Sequence, residues 1–263
     1  ITSIGLDVAS FWKSLIEGRL GISLLEMDHA DGIRIKVASQ IKNFDPLLYM
    51  DRKEARRLDR YCQFAVAATA EAVTQSRIDF SALDPWRVGV IIGTGVGGLE
   101  TMDTEYRKLY LGGGPGRISP LFIPMMIANM AAGKVSMIYG AKGANLCVTT
   151  ACASGTHSIG EAFRAIKYGH LDACIAGGAE APVTPIALGG FDNMTALSRS
   201  ADPACASIPF DRRRDGFVIG EGAGIVILES LDHALSRGAN ILCEVSGYGS
   251  TAEIGRASCR ERV

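Results

Sequence analysis

Residues 145–169, NLCVTTACASGTHSIGEAFRAIKYG, open with Leu146, Cys147 and Val148, a short apolar run that reads as a buried strand. The chain then passes through Thr149 and Thr150 into Ala151-Cys152-Ala153-Ser154-Gly155. From there Ile159, Ala162, Phe163 and Ile166 recur at the i, i+3, i+4, i+7 spacing of a helix face that stops at Gly169. Cys152 therefore falls where a strand turns into a helix. Unpaired N–H groups and the positive end of the helix dipole favour an anion there, so this placement is expected to lower the thiol pKa and enrich the nucleophilic thiolate. Taken alone, the residues leave open the commoner fate of a free cysteine, a small buried apolar residue.

Upstream, residues 87–92 form an apolar strand that runs into Gly93-Thr94-Gly95-Val96-Gly97-Gly98, formally a match to the GxGxxG phosphate fingerprint. A dinucleotide site also needs an acidic residue about 20 positions further on, at the end of the next strand. That region reads LGGGPGRIS, so a close-packed strand-to-helix turn is the better reading. Downstream, DACIAGGAE (172–180) is a second buried strand, 223–228 a third and 241–248 a last one, with a short helix at 231–237. Strands alternating with helices imply a layered α/β fold around a largely buried sheet.

Nearer the N-terminus, Val8, Phe11, Trp12, Leu15 and Ile16 mark a helix face ended by Gly18, and 34–41 alternates like a strand. Asp51, with Glu54 three residues on, resembles a capping pair for one long helix reaching Ser76. Its first turns carry Arg52, Lys53, Arg56, Arg57 and Arg60, a pattern that suits either a solvated face or a docking site. The segment 121–141 is apolar enough to raise a membrane span, but Pro124, Asn129, Gly133 and Lys134 interrupt it. It reads instead as a buried, Met-rich core helix with Ile123, Met126, Ile127 and Met130. The run Asp211-Arg212-Arg213-Arg214-Asp215 balances its charges and suggests internal ion pairs.

With 263 residues, 48% hydrophobic and 21% charged, the chain can bury a sizeable core. A formal charge of −1 and a pI near 6.5 give no reason to expect nucleic acid or membrane as the main partner. Seven cysteines without a CxxC pair, four scattered histidines and no secretory leader argue against a disulfide framework or a structural zinc site and suit a reducing cytoplasm.

Taken in order, IGTGVGGLE, GGGPGRISPLFIP, TTACASGTHSIGEA, DACIAGGAE and IPFDRRRDGFVIGEGAGIVILE resemble the β-ketoacyl-acyl-carrier-protein synthases of the thiolase-like fold, closest to the synthase II type, across most of residues 1–250. The resemblance implies a layered α/β/α fold, present here as the N-terminal half of a duplicated structure. It implies that Cys152 accepts a fatty acyl group from carrier protein as a thioester. The carbanion from malonyl-carrier protein then attacks, releasing a 3-oxoacyl chain two carbons longer. A thiolate attacks and leaves easily, which suits this exchange, and the Cys152 N–H would supply one oxyanion-hole donor. Neither metal nor cofactor is implied. Lys53, Arg56, Arg57 and Arg117 match positions where the family places cations for the acidic carrier protein. Val96 and Phe191 match the acyl pocket, although plain core packing would also account for both. Residues 144–149 match the segment that pairs across a homodimer.

The chain also departs from that family. Decarboxylation needs two histidines, a lysine and a phenylalanine-bearing glycine loop in the C-terminal half, and none is present. His29, His157, His170 and His233 do not match the catalytic positions and read as structural. The expected division is therefore a synthase N-terminal domain at 1–239 lacking its first strand, the first strand of a second domain at 240–252, and a non-native tail at 253–263, where EIGRASCRERV reads as translated vector or adapter sequence. Condensation is not expected from this chain alone. The alternatives are a polyketide-type ketosynthase, a thiolase, or a non-catalytic partner of the chain-length-factor kind, against which the presence of Cys152 counts.

Overall fold

The computed structural model describes residues 1–28 and 32–252; His29, Cys259 and the 253–263 tail lie outside them. In chain order the elements are α1 (Val8–Ile16), β1 (Ser23–Leu24), β2 (Val37–Ala38), α2 (Arg52–Ala55), α3 (Arg60–Ser76), β3 (Val88–Gly93), α4 (Leu99–Leu111), α5 (Phe122–Met126), α6 (Met130–Tyr139) and β4 (Asn145–Leu146). There follow α7 (Ser154–Lys167), β5 (Ala173–Glu180), α8 (Pro185–Asn193), α9 (Pro203–Ala206), β6 (Gly222–Glu229) and α10 (Leu231–Ser236).

The central sheet has the order β4-β3-β5-β6; β4, β3 and β5 run parallel and β6 antiparallel to β5. β3 and β5 are nearly continuous apolar runs because each is covered on both faces. Val88, Val90, Ile92 and Ile175 pack with Phe64, Ala65 and Ala68 of α3 and with Ala131, Ala132 and Val135 of α6. The alternate residues Ile91, Cys174 and Ala176 pack with Ile159, Ala162 and Ile166 of α7 on the other side. This strand alternation produces the helix–sheet–helix layering expected from the sequence. Among the described residues no helix is long and apolar enough to cross a membrane.

Five local expectations are corrected. The single helix over 51–76 is two, α2 and α3, because the chain turns at 56–59 and Asp59 caps the second helix through Tyr61 N–H at 3.3 Å. Asp51 does accept from Glu54 N–H at 2.8 Å, but the Glu54 carboxylate pairs with Lys134 instead of closing a capping box. The strand over 34–41 shrinks to Val37–Ala38 against β1. The segment 121–141 is two short helices: α6 buries Ala131, Ala132 and Val135 in the core as expected, but α5 holds no buried residue and Ile123 is 57% exposed, so the apolar side of α5 is surface and not core.

The apolar run at 146–148 forms a strand only at Asn145–Leu146, both exposed, since this edge strand has one ladder partner. Finally, 241–248 forms no strand, for no described strand lies beside it to complete a ladder. Its position comes from a side chain instead. The Tyr248 ring lies against α7 over Gly160, where a Cβ would collide with it, between Arg164 at 4.8 Å and His157 at 6.1 Å.

Candidate active site

β4, β3 and β5 direct their carboxyl ends to one side of the sheet, where open parallel sheets place their ligand sites. Each delivers one part. Beyond β4 the chain enters a single 3-10 turn, Ala151–Ala153, which leads directly into α7. Cys152 is the middle residue of that turn and is exposed. No side chain caps the α7 N-terminus, so its first N–H groups face the turn.

Two hydrogen bonds shape the turn. Ala151 adopts φ 51°, a left-handed conformation that costs an L-residue about 1–2 kcal/mol. The Ser154 hydroxyl holds it there, donating to Ala151 O at 2.7 Å and accepting from Thr150 N–H at 2.9 Å. Thr150 Oγ1 also bonds His157 Nδ1 at 2.8 Å, one helical turn into α7. The strand end and the helix are thereby tied together across Cys152. Beneath them, α7 sits so close to β3 that a Cβ on Gly93 would meet Ser154 O at 2.5 Å.

β3 delivers the glycine loop. Gly95 lies beside the Ala151 carbonyl, which a Cβ there would approach to 3.9 Å. β5 delivers Glu180, the residue at its carboxyl end, and the two meet. Gly95 N–H donates to Glu180 Oε2, Thr94 Oγ1 donates to Glu180 Oε1 at 2.9 Å, and Gly97 N–H donates to Thr94 Oγ1 at 3.1 Å. Burial pushes the Glu180 carboxyl above the usual range, opposed by the N–H groups of Gly95, Val96 and Gly97 and by Thr94. The Gly95 N–H, which a phosphate would use, is taken by a side chain of the same molecule, in keeping with the reading of this loop as a packed turn. Nothing local to the loop signals this, since Glu180 is 85 residues further along the chain.

The remaining candidates are dispersed. Val96 is half exposed on the loop beside the cysteine turn. Phe191, on α8, packs edge-on against Phe217 at 5.5 Å in a separate cluster with Ile35, Leu188 and Ile219. Lys53, Arg56 and Arg57 are exposed on and just after α2, and Arg117 is exposed on the loop after α4; among the described residues none of the four forms an ion pair. The 211–215 run is internally paired in part, through Arg213 to Asp211 at 2.8 Å. His233 bonds Glu229 at 2.6 Å, far from the turn in the chain, and His157 serves the turn's geometry. Of the other cysteines, Cys62 and Cys174 are buried, and burial raises both thiols, Cys174 to about 12; Cys205 is exposed, and its bond to Asp202 raises it.

An exposed cysteine at a strand–turn–helix junction, on a sheet layered between helices, is consistent with the thiolase-like fold, which the solved structures below share. The family model described as "Beta-ketoacyl synthase, N-terminal domain" matches residues 1–234, and the chain belongs to that family. It is 46% identical over 254 residues to 3-oxoacyl-[acyl-carrier-protein] synthase 2 of Synechocystis sp., covering 96% of this chain and 61% of that protein. Against the synthase of the same description from Staphylococcus aureus the identity is 45% over 253 residues, covering 96% and 62%. Among solved structures, the ishigamide ketosynthase/chain length factor superposes with a TM-score of 0.83 at 29% identity over 91% of this chain and 58% of that one. A type II PKS acyl-carrier protein in complex with its ketosynthase gives 0.81 at 31%, with the same coverage. The chain thus spans about three fifths of the length of the proteins it matches.

Proposed function

We propose that the chain supplies the acyl-accepting part of a 3-oxoacyl-[acyl-carrier-protein] synthase, a transferase of fatty acid elongation. The observation that carries this is the exposed Cys152 at the turn before α7, flanked by the loop that bears Val96. The Cys152 thiolate attacks the carbonyl of an acyl-carrier-protein thioester, a new S–acyl bond forms, and the carrier thiol leaves. The backbone N–H of Cys152 is the first oxyanion donor. In the intact enzyme, malonyl-carrier protein loses carbon dioxide and its carbanion attacks the S-acyl carbon. This frees the Cys152 thiolate and yields a 3-oxoacyl chain two carbons longer. The second step needs groups that polarise the malonyl carbonyl, and His157, His170 and His233 do not match the positions from which the family supplies them.

This part-chain is therefore expected to acylate without condensing. Alkylating the chain with an acyl-mimicking iodoacetamide and mapping the adduct tests the first half. Cys152 is expected to react well ahead of Cys205, with Cys62 and Cys174 untouched, and uniform labelling would refute the assignment. Incubation with acyl- and malonyl-carrier protein tests the second half, where 3-oxoacyl product from this chain would overturn the division of labour.

Partners follow from the surface. Lys53, Arg56, Arg57 and Arg117, exposed and unpaired among the described residues, suit an acidic carrier protein. Charge reversal at Arg56 should slow acyl transfer from the carrier at low salt and leave iodoacetamide labelling unchanged. The open edge of β4, with Leu146 51% exposed, supports a homodimer in the intact cytoplasmic enzyme, and a monomeric mass by ultracentrifugation of that enzyme would refute it. Residues 1–239 are read as the N-terminal domain and 240–252 as the entry to a second. A polyketide-type ketosynthase is the second reading, favoured by the two solved relatives; the higher identity to synthase 2 proteins weighs the other way.

A further inference from the structure

The sequence contains a loop that formally matches a phosphate fingerprint, and the structure contains a part-buried carboxylate with no part in the chemistry above. They are the same site. Glu180 ends β5, and its two oxygens receive Gly95 N–H and the Thr94 hydroxyl, while Thr94 in turn receives Gly97 N–H. Thr94 and Gly95 are thereby strapped to the end of the neighbouring parallel strand, and Gly97 is tied in through Thr94, so Val96 lies between two held residues. The strapped stretch is the one that lies beside the Ala151 carbonyl and bears Val96. A loop with four glycines in six positions has wide conformational freedom, so what holds it must come from outside it.

We propose that the Glu180 carboxylate is the resident anion of the 93–98 loop and a positioning residue for the acyl site, fixing the loop backbone against the Cys152 turn and so fixing Val96. Glu180 does not touch the substrate; it acts through the loop. The part concerning acyl chains rests on the function proposed above, whereas the anchoring of the loop does not. The interaction is specific in form: a charge-assisted bond to a backbone N–H is stronger than a neutral one, and both bonds to the carboxylate are part-buried.

The test compares the unaltered chain with Glu180→Gln and Thr94→Val by two measurements. Hydrogen exchange of the 93–98 amides reads the anchoring directly, and Glu180→Gln is expected to speed it by about tenfold, with the rest of the chain unchanged. The rates of Cys152 labelling by iodoacetamide and by an N-alkyl iodoacetamide with a long tail read the acyl site. The short reagent should react at its former rate, while the long one changes by about fivefold, a split that general loosening of the fold would not produce. Thr94→Val removes the hydroxyl's bond to the same carboxylate together with the Gly97 N–H bond that the hydroxyl receives, and should move both readouts in the same direction; it stands in if Glu180→Gln does not fold. Unchanged exchange in the loop overturns the anchoring. Faster exchange with an unchanged long-to-short ratio overturns the link to the acyl site. Failure of Cys152 to react in the unaltered chain counts against the proposed function, and the exchange result still decides the anchoring.

Discussion

Ala151 is held left-handed by a serine three residues on, at the start of the turn in which Cys152 is exposed. The Thr150–His157 bond closes the same turn from outside, joining the residue before the distortion to the second turn of α7. His157 thus belongs to the cysteine's setting although it is not one of the histidines that decarboxylation requires. Thr150→Val removes the hydroxyl, and Cys152 labelling should slow by about fivefold, the worth of one neutral hydrogen bond. Thr150→Ser should restore the rate, with the unfolding midpoint of both close to that of the unaltered chain. Equal labelling rates in all three would show that the bond is incidental. Cys152 was legible in the sequence because its signal is local, a strand, small residues and a helix in unbroken order. Glu180 was not, because its partners are 85 residues away and only strand pairing brings them together.

At the level of elements, Asp59 does what no local pattern announces. One oxygen caps α3 through Tyr61 N–H, and the other accepts Thr101 N–H at 2.8 Å, capping α4, which has no cap of its own at Gly98. One buried carboxylate therefore fixes the start of the helix under the sheet relative to the start of the helix leaving the glycine loop. Asp59→Ala should lower the unfolding free energy by about 2 kcal/mol, the sum of two modest caps, measurable by urea titration. Asp59→Asn, which keeps an acceptor and drops the buried charge, should lose less; equal losses would mean that charge and not capping matters. Residues 55–58, ARRL, are helix formers, so propensity did not show the break; its signal is Asp59, a residue favoured as a helix N-cap. The opposite error at 241–248 has the same root: its apolar content is strand-like, but a strand exists only beside another.

Across the whole molecule the two ends of the sheet are built for different work. The carboxyl ends of β4, β3 and β5 hold the cysteine turn, the glycine loop and Glu180, shaped by glycines and a strained residue. The opposite end is bolted with ions. Arg87 at the start of β3 forks onto Asp172 at 2.5 and 2.9 Å, just before β5, and Ser230 N–H at the end of β6 donates to Asp172 O at 2.9 Å. Next to it, Glu229 takes both Arg237 and His233 of the C-terminal helix region, and Arg237 reaches Ser76 O at the end of α3 at 2.9 Å. Burial alone would raise the Glu229 carboxyl, but its bonds to Arg237 and His233 outweigh burial and hold it below its ordinary 4.5.

A carboxylate depressed in this way contributes stability above the unfolded-state value and loses it as the pH falls through the folded-state value. Glu229→Gln leaves Arg237 without its charge partner and should cost about 2 kcal/mol near neutral pH. The gap between the two proteins should stay level down to the ordinary glutamate range and narrow below it, as the unaltered chain takes up the proton that glutamine lacks. Asp172 keeps Arg87 in both proteins and cancels from the difference. Urea titrations at a series of pH values read the gap directly, and one that stays constant through the acid range would show that the clamp holds by shape and not by charge.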